Sequence, residues 1–151
     1  MQSKTNWQAQ GWGLAILRIV VGSVFLAHGA QKLFTYGFGG VTGMMAHLGI
    51  PLPAVSAVVV SLVEFLGGAA LVLGLLTRWA AIPLSVNMLV AILAVHLKGG
   101  FFLPAGFEYA LTLLAANVAL AIAGPGALAV DNWIADRKST VVAAPRVARA
   151  A

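Results

Sequence analysis

The residues in this chain that could do chemistry are ionisable side chains set within or at the ends of long apolar stretches. They are His28, Lys32, Glu64, His96 and Glu108. A charged side chain in mid-membrane costs about 2.5–3.5 kcal/mol on the insertion scale, so each is a candidate functional group. A carboxyl such as Glu64 can accept and release a proton, and histidines can relay one. The alternative is structural, because a buried ion pair can also fix the order of helices.

Four apolar stretches must position these residues. They cover about residues 14–36, 54–76, 79–97 and 106–124. Each is close to the ~20 residues that cross about 30 Å of hydrocarbon. At about 1.5 Å per residue, the five ionisable groups lie about 18 to 27 Å from the ends that we expect to face the cytoplasm. The sequence therefore predicts one polar layer, about 9 Å thick, shared by four transmembrane helices.

Helical periodicity supports an inward polar face. On the first stretch, Arg18, Gly22, Phe25, Gly29 and Lys32 recur at spacings of four and three residues, which is one side of a helix. On the second stretch, one face is rich in small residues; its members are Ala57, Val60, Ser61, Glu64, Gly67, Gly68 and Leu71. Small residues let membrane helices approach closely, so this face should pack against protein. We expect Asn87 and Asn117 to form a second polar level nearer the cytoplasm. Alternatively, Asn117 faces a neighbouring subunit.

Composition and charge exclude several classes of protein. Of 151 residues, 61% are hydrophobic and 9% are charged, against about 25% charged in a soluble domain. The chain has no cysteine, which excludes a thiolate nucleophile and a Cys-ligated iron–sulfur cluster. Basic residues on the predicted cytoplasmic side are Lys4, Arg78, Arg137, Lys138, Arg146 and Arg149, against Lys32 and Lys98 outside. This bias predicts cytoplasmic N- and C-termini in the inner cell membrane, and no binding of nucleic acid.

Other residues invite cofactor readings. His28 and His96 could together ligate haem, but we expect none in four narrow, leucine-rich spans. Met44, Met45 and His47 resemble soft Cu(I) ligands; with no second such motif, we predict no metal site. The aromatic residues at the outer ends, among them Phe38, Phe102 and Tyr109, could stack on a quinone or a similar ring. An ordinary interfacial belt is the alternative.

The segments outside the four spans have simpler interpretations. Residues 1–13 read as a polar interfacial lead-in, and residues 132–151 as a basic cytoplasmic tail, of low order from residue 136. Gly37, Gly39 and Gly40 should end the first span. Residues 41–49 could then form a short interfacial helix in the first outer loop. We expect Arg18 to be paired, with Asp131 or a lipid headgroup, because both belong near the cytoplasmic surface.

Several short motifs recur in order along the membrane portion. They are RIVVGSVFLAHGAQKLF (18–34), VEFLGGAALVLGLLTR (63–78), VHLKGGFF (95–102), FEYALTLL (107–114) and GPG (124–126). Over about residues 14–131 this arrangement resembles the DoxX family. The resemblance implies a four-helix membrane protein. It also implies an oxidoreductase-associated function, because the family takes its name from subunits of a thiosulfate:quinone oxidoreductase.

The sequence therefore predicts an all-α membrane protein, a bundle of four transmembrane helices with a short interfacial helix in the first outer loop. Our leading hypothesis is a subunit of a quinone-linked oxidoreductase. Glu64 and Glu108 would exchange protons, His28 and His96 would donate hydrogen bonds, and Lys32 would stabilise an anionic quinol. Electrons would come from a partner redox enzyme or a soluble reductant. Two alternatives stay open: a non-catalytic anchor or assembly factor, and a small-molecule or proton carrier. The small-residue faces would also suit a homo-oligomer.

Overall fold

The computed structural model describes the backbone of residues 2–142 and the side chains of residues 8–137. This part of the chain is helical and contains no strand. The α-helices are α1 (Gln2–Ala30), α2 (Gly37–His47), α3 (Pro53–Leu73), α4 (Thr77–Ala91), α5 (Glu108–Ala123) and α6 (Val130–Val142). Two π-helical segments, Gln31–Tyr36 and Ile92–His96, extend α1 and α4. The predicted all-α fold is confirmed.

Three helical stretches are long and apolar enough to cross a membrane, namely Gln8–His47, Pro53–Leu73 and Thr77–Gly99. The fourth predicted span is the apolar helix α5, which has 16 residues and so extends about 24 Å at about 1.5 Å per residue. A helix of this length is slightly short for a typical bilayer core. The structure is thus consistent with a membrane bundle of three to four spanning helices.

The four long helices pack in two close pairs around one core. Helix α1 packs mainly on α3, and α4 mainly on α5, while α3 also contacts α4 and α1 contacts α5. Each helix contributes side chains to the core, including Phe25, Leu71, Leu84 and Leu113. Burial of apolar residues from all four helices in one cluster makes the bundle a single unit.

Glycine residues allow the close contact between α1 and α3. A β-carbon at Gly29 would overlap the backbone nitrogen of Phe65, and one at Gly68 would overlap the backbone nitrogen of Leu26. Larger residues at these positions would force the two helices apart. The prediction that the small-residue face packs against protein is confirmed.

A short helix does occur in the first loop, although it begins earlier than the predicted residues 41–49. Gly37 has φ +64° and separates the π-helical segment from α2, as a residue without a β-carbon can. Helix α2 then packs against α3 through Val41, Met45 and Ala57. We call this end of the bundle, which also carries residues 97–107, the loop end.

The opposite end, here called the termini end, gathers the start of α1, the turn between α3 and α4, and the start of α6. The amide of Ala127 donates to the carbonyl of Gly11, and the amide of Asp131 donates to the carbonyl of Gly74. Residues 2–13 continue the first span as one helix.

The expectation of low order from residue 136 onward is wrong for residues 136–142, which belong to α6. Asp131 lies in the first turn of α6, where its negative charge interacts favourably with the helix dipole. The guanidinium of Arg137 lies 3.7 Å from the centre of the Trp133 ring, one turn earlier in the helix. The remaining basic tail, with Arg146 and Arg149, lies outside the described residues, as do the side chains of Lys4, Trp7 and Lys138.

Candidate functional site

Glu64 on α3 is the centre of a buried polar group. Its side chain is almost fully buried, with 5% of the residue exposed. The Lys32 ammonium lies 2.5 Å from its Oε2 atom, and the Asn87 side-chain amide donates to its Oε1 atom at 2.9 Å. We call Lys32, Glu64 and Asn87 the Glu64 triad. Three different helical stretches thus converge on one carboxylate, and each of its oxygens has a donor.

Local sequence explains this convergence. Gly29 brings the backbone of α1 against α3 next to Glu64, and Lys32 follows three residues later on the same side of the helix. Lys32 lies in the π-helical segment Gln31–Tyr36, a wider turn of the kind often found at functional sites. Counted from the turn between α3 and α4, Glu64 and Asn87 lie at about 14 and 15 Å, so they reach the same level.

The triad is asymmetric in its access to the surroundings. The side chain of Lys32 is 18% exposed, against 6% for that of Glu64. The ammonium group has three N–H donors, and Glu64 is its one hydrogen-bonded partner among residues 8–137. Lys32 can therefore present donors outward while it remains bound to the buried carboxylate.

An aromatic pair adjoins the triad along the chain. Phe34 follows Lys32 by two residues, is 77% exposed, and packs edge-on against Phe65 at 5.8 Å between ring centres. Phe65 is the residue after Glu64. Phe34 belongs to the outer aromatic residues that the sequence offered for stacking on a ring. Phe65 was not a candidate from sequence, although its position beside Glu64 was a usable signal.

Two other predicted site residues hold a loop in place. The Glu108 carboxylate accepts a hydrogen bond from the amide of Leu103 at 2.8 Å, and the Nδ1 atom of His96 lies 3.3 Å from the carbonyl of Ala105. Both contacts fasten the segment 97–107 between α4 and α5. Within residues 8–137 no hydrogen bond or ion pair joins Glu108 or His96 to the Glu64 triad.

The other candidates lie on the surface. His28 is exposed on α1 and has no polar partner among the described side chains. The proposed ring-binding residues Phe38, Phe102 and Tyr109 are 45%, 74% and 44% exposed, respectively. Phe102 packs against Phe101 at 5.2 Å, within the loop that Glu108 fastens. The structure thus separates the predicted layer into the Glu64 triad, the fastened loop and isolated exposed side chains.

The second polar level predicted from Asn87 and Asn117 is wrong, because Asn87 belongs to the Glu64 triad. Asn117 is fully buried within the chain, so the alternative of a neighbouring subunit around it is also wrong. Its side-chain amide donates to the carbonyl of Leu113, while its Oδ1 atom is buried with no partner in the described part of the chain.

Arg18 corrects another expectation. Its guanidinium is fully buried and donates to backbone carbonyls at the end of α3 and in the α5–α6 connection, namely those of Leu71, Val72, Pro125, Ala127 and Leu128. Its burial contradicts the lipid headgroup as a partner. Asp131 acts on Arg18 through its charge, as predicted, but the two side chains form no direct ion pair. The last carbonyls of a helix have no partner within it, and Arg18 supplies that partner. Asp131 instead accepts from the amides of Leu76 and Thr77.

The methionines of the first loop do not converge. On α2, Met44 is 44% exposed, whereas Met45 is buried against Val41 and Ala57. In the described part of the chain, no group of three or more His, Asp or Glu side chains is placed to hold a metal ion.

Comparison with known families identifies the chain. The family model for DoxX matches residues 13–97. This protein belongs to the DoxX family. The resemblance seen in the sequence motifs is confirmed, and the match includes all three residues of the Glu64 triad.

Curated relatives agree with this assignment of the DoxX protein. It is 33% identical over 123 residues to the "Putative oxidoreductase CatD" of Bacillus subtilis, covering 81% of this chain and 87% of the relative. It is 35% identical over 132 residues to an uncharacterized membrane protein of Mycobacterium tuberculosis, covering 80% of each. The inner membrane protein YphA of Escherichia coli is 30% identical over 129 residues, which is 79% of this chain and 88% of that protein. No solved structure matches.

Proposed function

We propose that this DoxX protein is the membrane subunit of a quinone-linked oxidoreductase, and that the Glu64 triad exchanges protons with the quinone headgroup. The observation that carries the proposal is the buried Glu64 carboxylate, bound on one oxygen by Lys32 and on the other by Asn87. An ionisable group inside a membrane bundle is costly, and this one is connected to the surroundings through the partly exposed Lys32. The oxidoreductase name of the Bacillus relative supports the same class of function.

The residues present fit a quinone headgroup. Bound there, a quinone supplies a flat ring whose two carbonyl oxygens accept two electrons and two protons. Lys32 offers N–H donors to such an oxygen, and the exposed ring of Phe34 offers a flat apolar surface beside it. We therefore propose Phe34, two residues after Lys32, as the ring surface, rather than Phe38, Phe102 or Tyr109.

The triad can deliver protons one at a time. Lys32 would hold a proton at Nζ for a headgroup oxygen, while Asn87 fixes the other oxygen of the Glu64 carboxylate. After Lys32 gives up its proton, a proton from water at the loop end would reload it. Two such transfers balance two electrons from a redox centre of a partner enzyme. This chain has no cysteine and cannot itself form a Cys-ligated cluster.

Mass spectrometry of quinones extracted from the purified protein tests the proposal. We expect about one quinone per chain in the wild type, and at least about a tenfold loss in Lys32→Met and Glu64→Gln, as for the loss of a charged hydrogen bond. Lys98→Met is the matched control, since Lys98 is an exposed lysine at the same end. Wild-type protein with no more quinone than the surrounding membrane would contradict the proposal.

The position of the ring can be tested with a second pair of variants. Phe34→Leu and Phe102→Leu each remove one highly exposed ring at the loop end. We expect quinone to be lost from Phe34→Leu and retained by Phe102→Leu. The reverse result would place the ring on the outer loop, as the sequence suggested.

A specific observation favours one rival, a non-catalytic membrane anchor for a soluble redox enzyme. Arg18, Arg78 and Glu108 all bind backbone groups, so most of the described charge at the two ends of the bundle holds the fold together. If the Glu64 triad did the same, Glu64→Gln would alter only stability, and quinone would not be enriched in any variant.

We further propose that both termini face the cytoplasm, because of the excess of basic residues on their side. The absence of native cysteine makes labelling simple. A membrane-impermeant maleimide applied to whole cells should label Lys98→Cys and should label Ala135→Cys, on α6, only after lysis. The opposite pattern would invert the topology.

A further inference from the structure

A second site lies at the termini end, away from the Glu64 triad. There a cavity of about 340 Å³ opens between the start of α4 and the α5–α6 connection. Its lining includes Thr77, Arg78, Trp79, Pro125 and Asp131. The cavity carries both signs of charge beside a large aromatic ring.

Arg78 has donors to spare in this cavity. Its Nη1 atom donates to the carbonyls of Ala121 and Ile122, and its Nη2 atom donates to the carbonyl of Ala123. A guanidinium has five N–H donors, so the Nε–H and one N–H of Nη2 have no partner among the described residues. Nε and Nη2 form one edge of the guanidinium, which is the edge that can bind a phosphate or carboxylate through two parallel hydrogen bonds.

Gly124 leaves that edge of Arg78 open. Its φ is +94°, and a β-carbon built on it would lie 3.2 Å from both Nε and Nη2 of Arg78. Any side chain at this position would therefore stand where a bidentate ligand must approach. The glycine both ends α5 in a conformation that other residues rarely adopt and keeps the two donors accessible.

The surroundings indicate the level of lipid headgroups. Three tryptophans at the termini end are strongly exposed: Trp12 at 53%, Trp79 at 73% and Trp133 at 54%. Exposed tryptophans at one end of a membrane bundle mark the interface between hydrocarbon and headgroups. Trp79 lines the cavity itself. The Asp131 carboxylate, which accepts from the amides of Leu76 and Thr77, complements an ammonium group.

We infer that this cavity binds the headgroup of a phospholipid, with its phosphate on the Nε/Nη2 edge of Arg78. The class of ligand follows from the bidentate donor edge, the interfacial tryptophan and the size of the cavity. An amine-bearing headgroup such as that of phosphatidylethanolamine matches both Arg78 and Asp131. The inference does not depend on the proposed quinone chemistry, which lies at the Glu64 triad.

Native mass spectrometry of the whole chain in detergent tests the inference, with phosphatidylethanolamine and diacylglycerol of the same acyl chains as probes. We expect the wild type to retain one phosphatidylethanolamine. It should retain at least about tenfold less diacylglycerol, because only phosphatidylethanolamine has a phosphate that can accept two hydrogen bonds from a charged arginine. Equal retention of the two lipids would overturn the inference, and this comparison needs no variant.

Two variants locate the site. Arg78→Lys keeps the positive charge but loses the bidentate edge, and Gly124→Ala obstructs it; both should weaken retention of phosphatidylethanolamine about tenfold. Arg137→Lys is the control for the first. Gly49→Ala is the control for the second, because Gly49 has φ +70° but open space around its missing β-carbon. Unchanged retention in a folded Arg78→Lys would overturn the inference. A second result would also overturn the inference: inorganic phosphate raises the melting temperature of the wild type but not of Arg78→Lys, and no lipid is bound. The ligand would then be free phosphate.

Discussion

At the termini end of this bundle charged side chains bind the backbone, whereas in the Glu64 triad they bind one another. Arg18 donates to five carbonyls and Asp131 accepts from two amides. Lys32 and Glu64 form an ion pair, completed by the amide of Asn87. All of these contacts join different segments of the chain, so they all contribute to packing. They differ in whether the partners can also exchange protons.

The difference lies in the partners. A backbone carbonyl neither gains nor loses a proton near neutral pH, so an arginine bound to it is fixed for as long as the fold persists. A lysine and a glutamate can each exchange a proton, and a substrate can replace one as the partner of the other. Burial of charge is therefore weak evidence for chemistry until the partner is known. On that criterion we propose that the Glu64 triad is the reactive region and the termini end the scaffold.

The largest effect should come from Arg18→Met. The variant removes hydrogen bonds to five carbonyls, of which that of Leu71 keeps the amide of Gly74 as a donor. At about 1 kcal/mol for each of the other four, we expect a loss of about 4 kcal/mol in the free energy of unfolding. Circular dichroism during titration with sodium dodecyl sulfate measures this. The control Arg137→Met removes an exposed arginine and its contact with Trp133, and should cost no more than about 1 kcal/mol. Similar curves for the two variants would show that Arg18 does not hold the termini end together.

A smaller effect should follow from breaking the ion pair. Lys32→Met leaves the Glu64 carboxylate buried without a cation and should destabilise by about 3 kcal/mol, the lower end for a broken buried pair because Lys32 is partly exposed. Adding Glu64→Gln removes the stranded charge, so the double variant should recover about 2 kcal/mol of the loss. A double-mutant cycle by the same titration gives the coupling energy. Strictly additive effects would mean that the pair is not formed in the membrane.

The close contact that aligns the pair can be tested without altering any charge. A β-carbon at Gly29 would overlap the backbone of α3, so Gly29→Ala should cost about 2 kcal/mol, as overpacking of a core does. Gly43→Ala is the matched control, since Gly43 lies in α2 with open space around it. There alanine should stabilise the helix by about 0.5–1 kcal/mol. A destabilising Gly43→Ala, or a neutral Gly29→Ala, would contradict this account of the packing.

The sequence was sufficient for the fold and for the centre of the site. Length and apolarity revealed the spans, helical periodicity placed Lys32 and Glu64 on inward faces, and small residues indicated a face of the second span that packs against protein. These properties are local or repeat along one helix, so they can be read from a single chain.

What the sequence could not provide was the partner of each charge. Glu64 and Asn87 were placed at different levels because both assumed helix ends were wrong. The second stretch was assumed to end at residue 76 and the third to begin at residue 79, whereas α3 ends at Leu73 and α4 begins at Thr77. Arg18 was assigned a charged partner because the free carbonyls at the end of a helix leave no mark in the sequence. Partner identity depends on rotation and depth of helices to within one turn, which apolar periodicity does not resolve.

The smallest effect, and the sharpest test of the division between reactive region and scaffold, concerns Glu108. It is an acid at the loop end, yet it binds the amide of Leu103, so it should behave like the scaffold residues of the termini end. Glu108→Ala should cost about 1 kcal/mol, the net value of one hydrogen bond, and hydrogen exchange at the Leu103 amide should accelerate. Glu108→Gln keeps an acceptor oxygen and should preserve both the protection of that amide and the bound quinone. If Glu108→Gln instead protected the amide but lost the quinone, Glu108 would belong to the chemistry, and the reactive region would extend from the Glu64 triad to the outer loop.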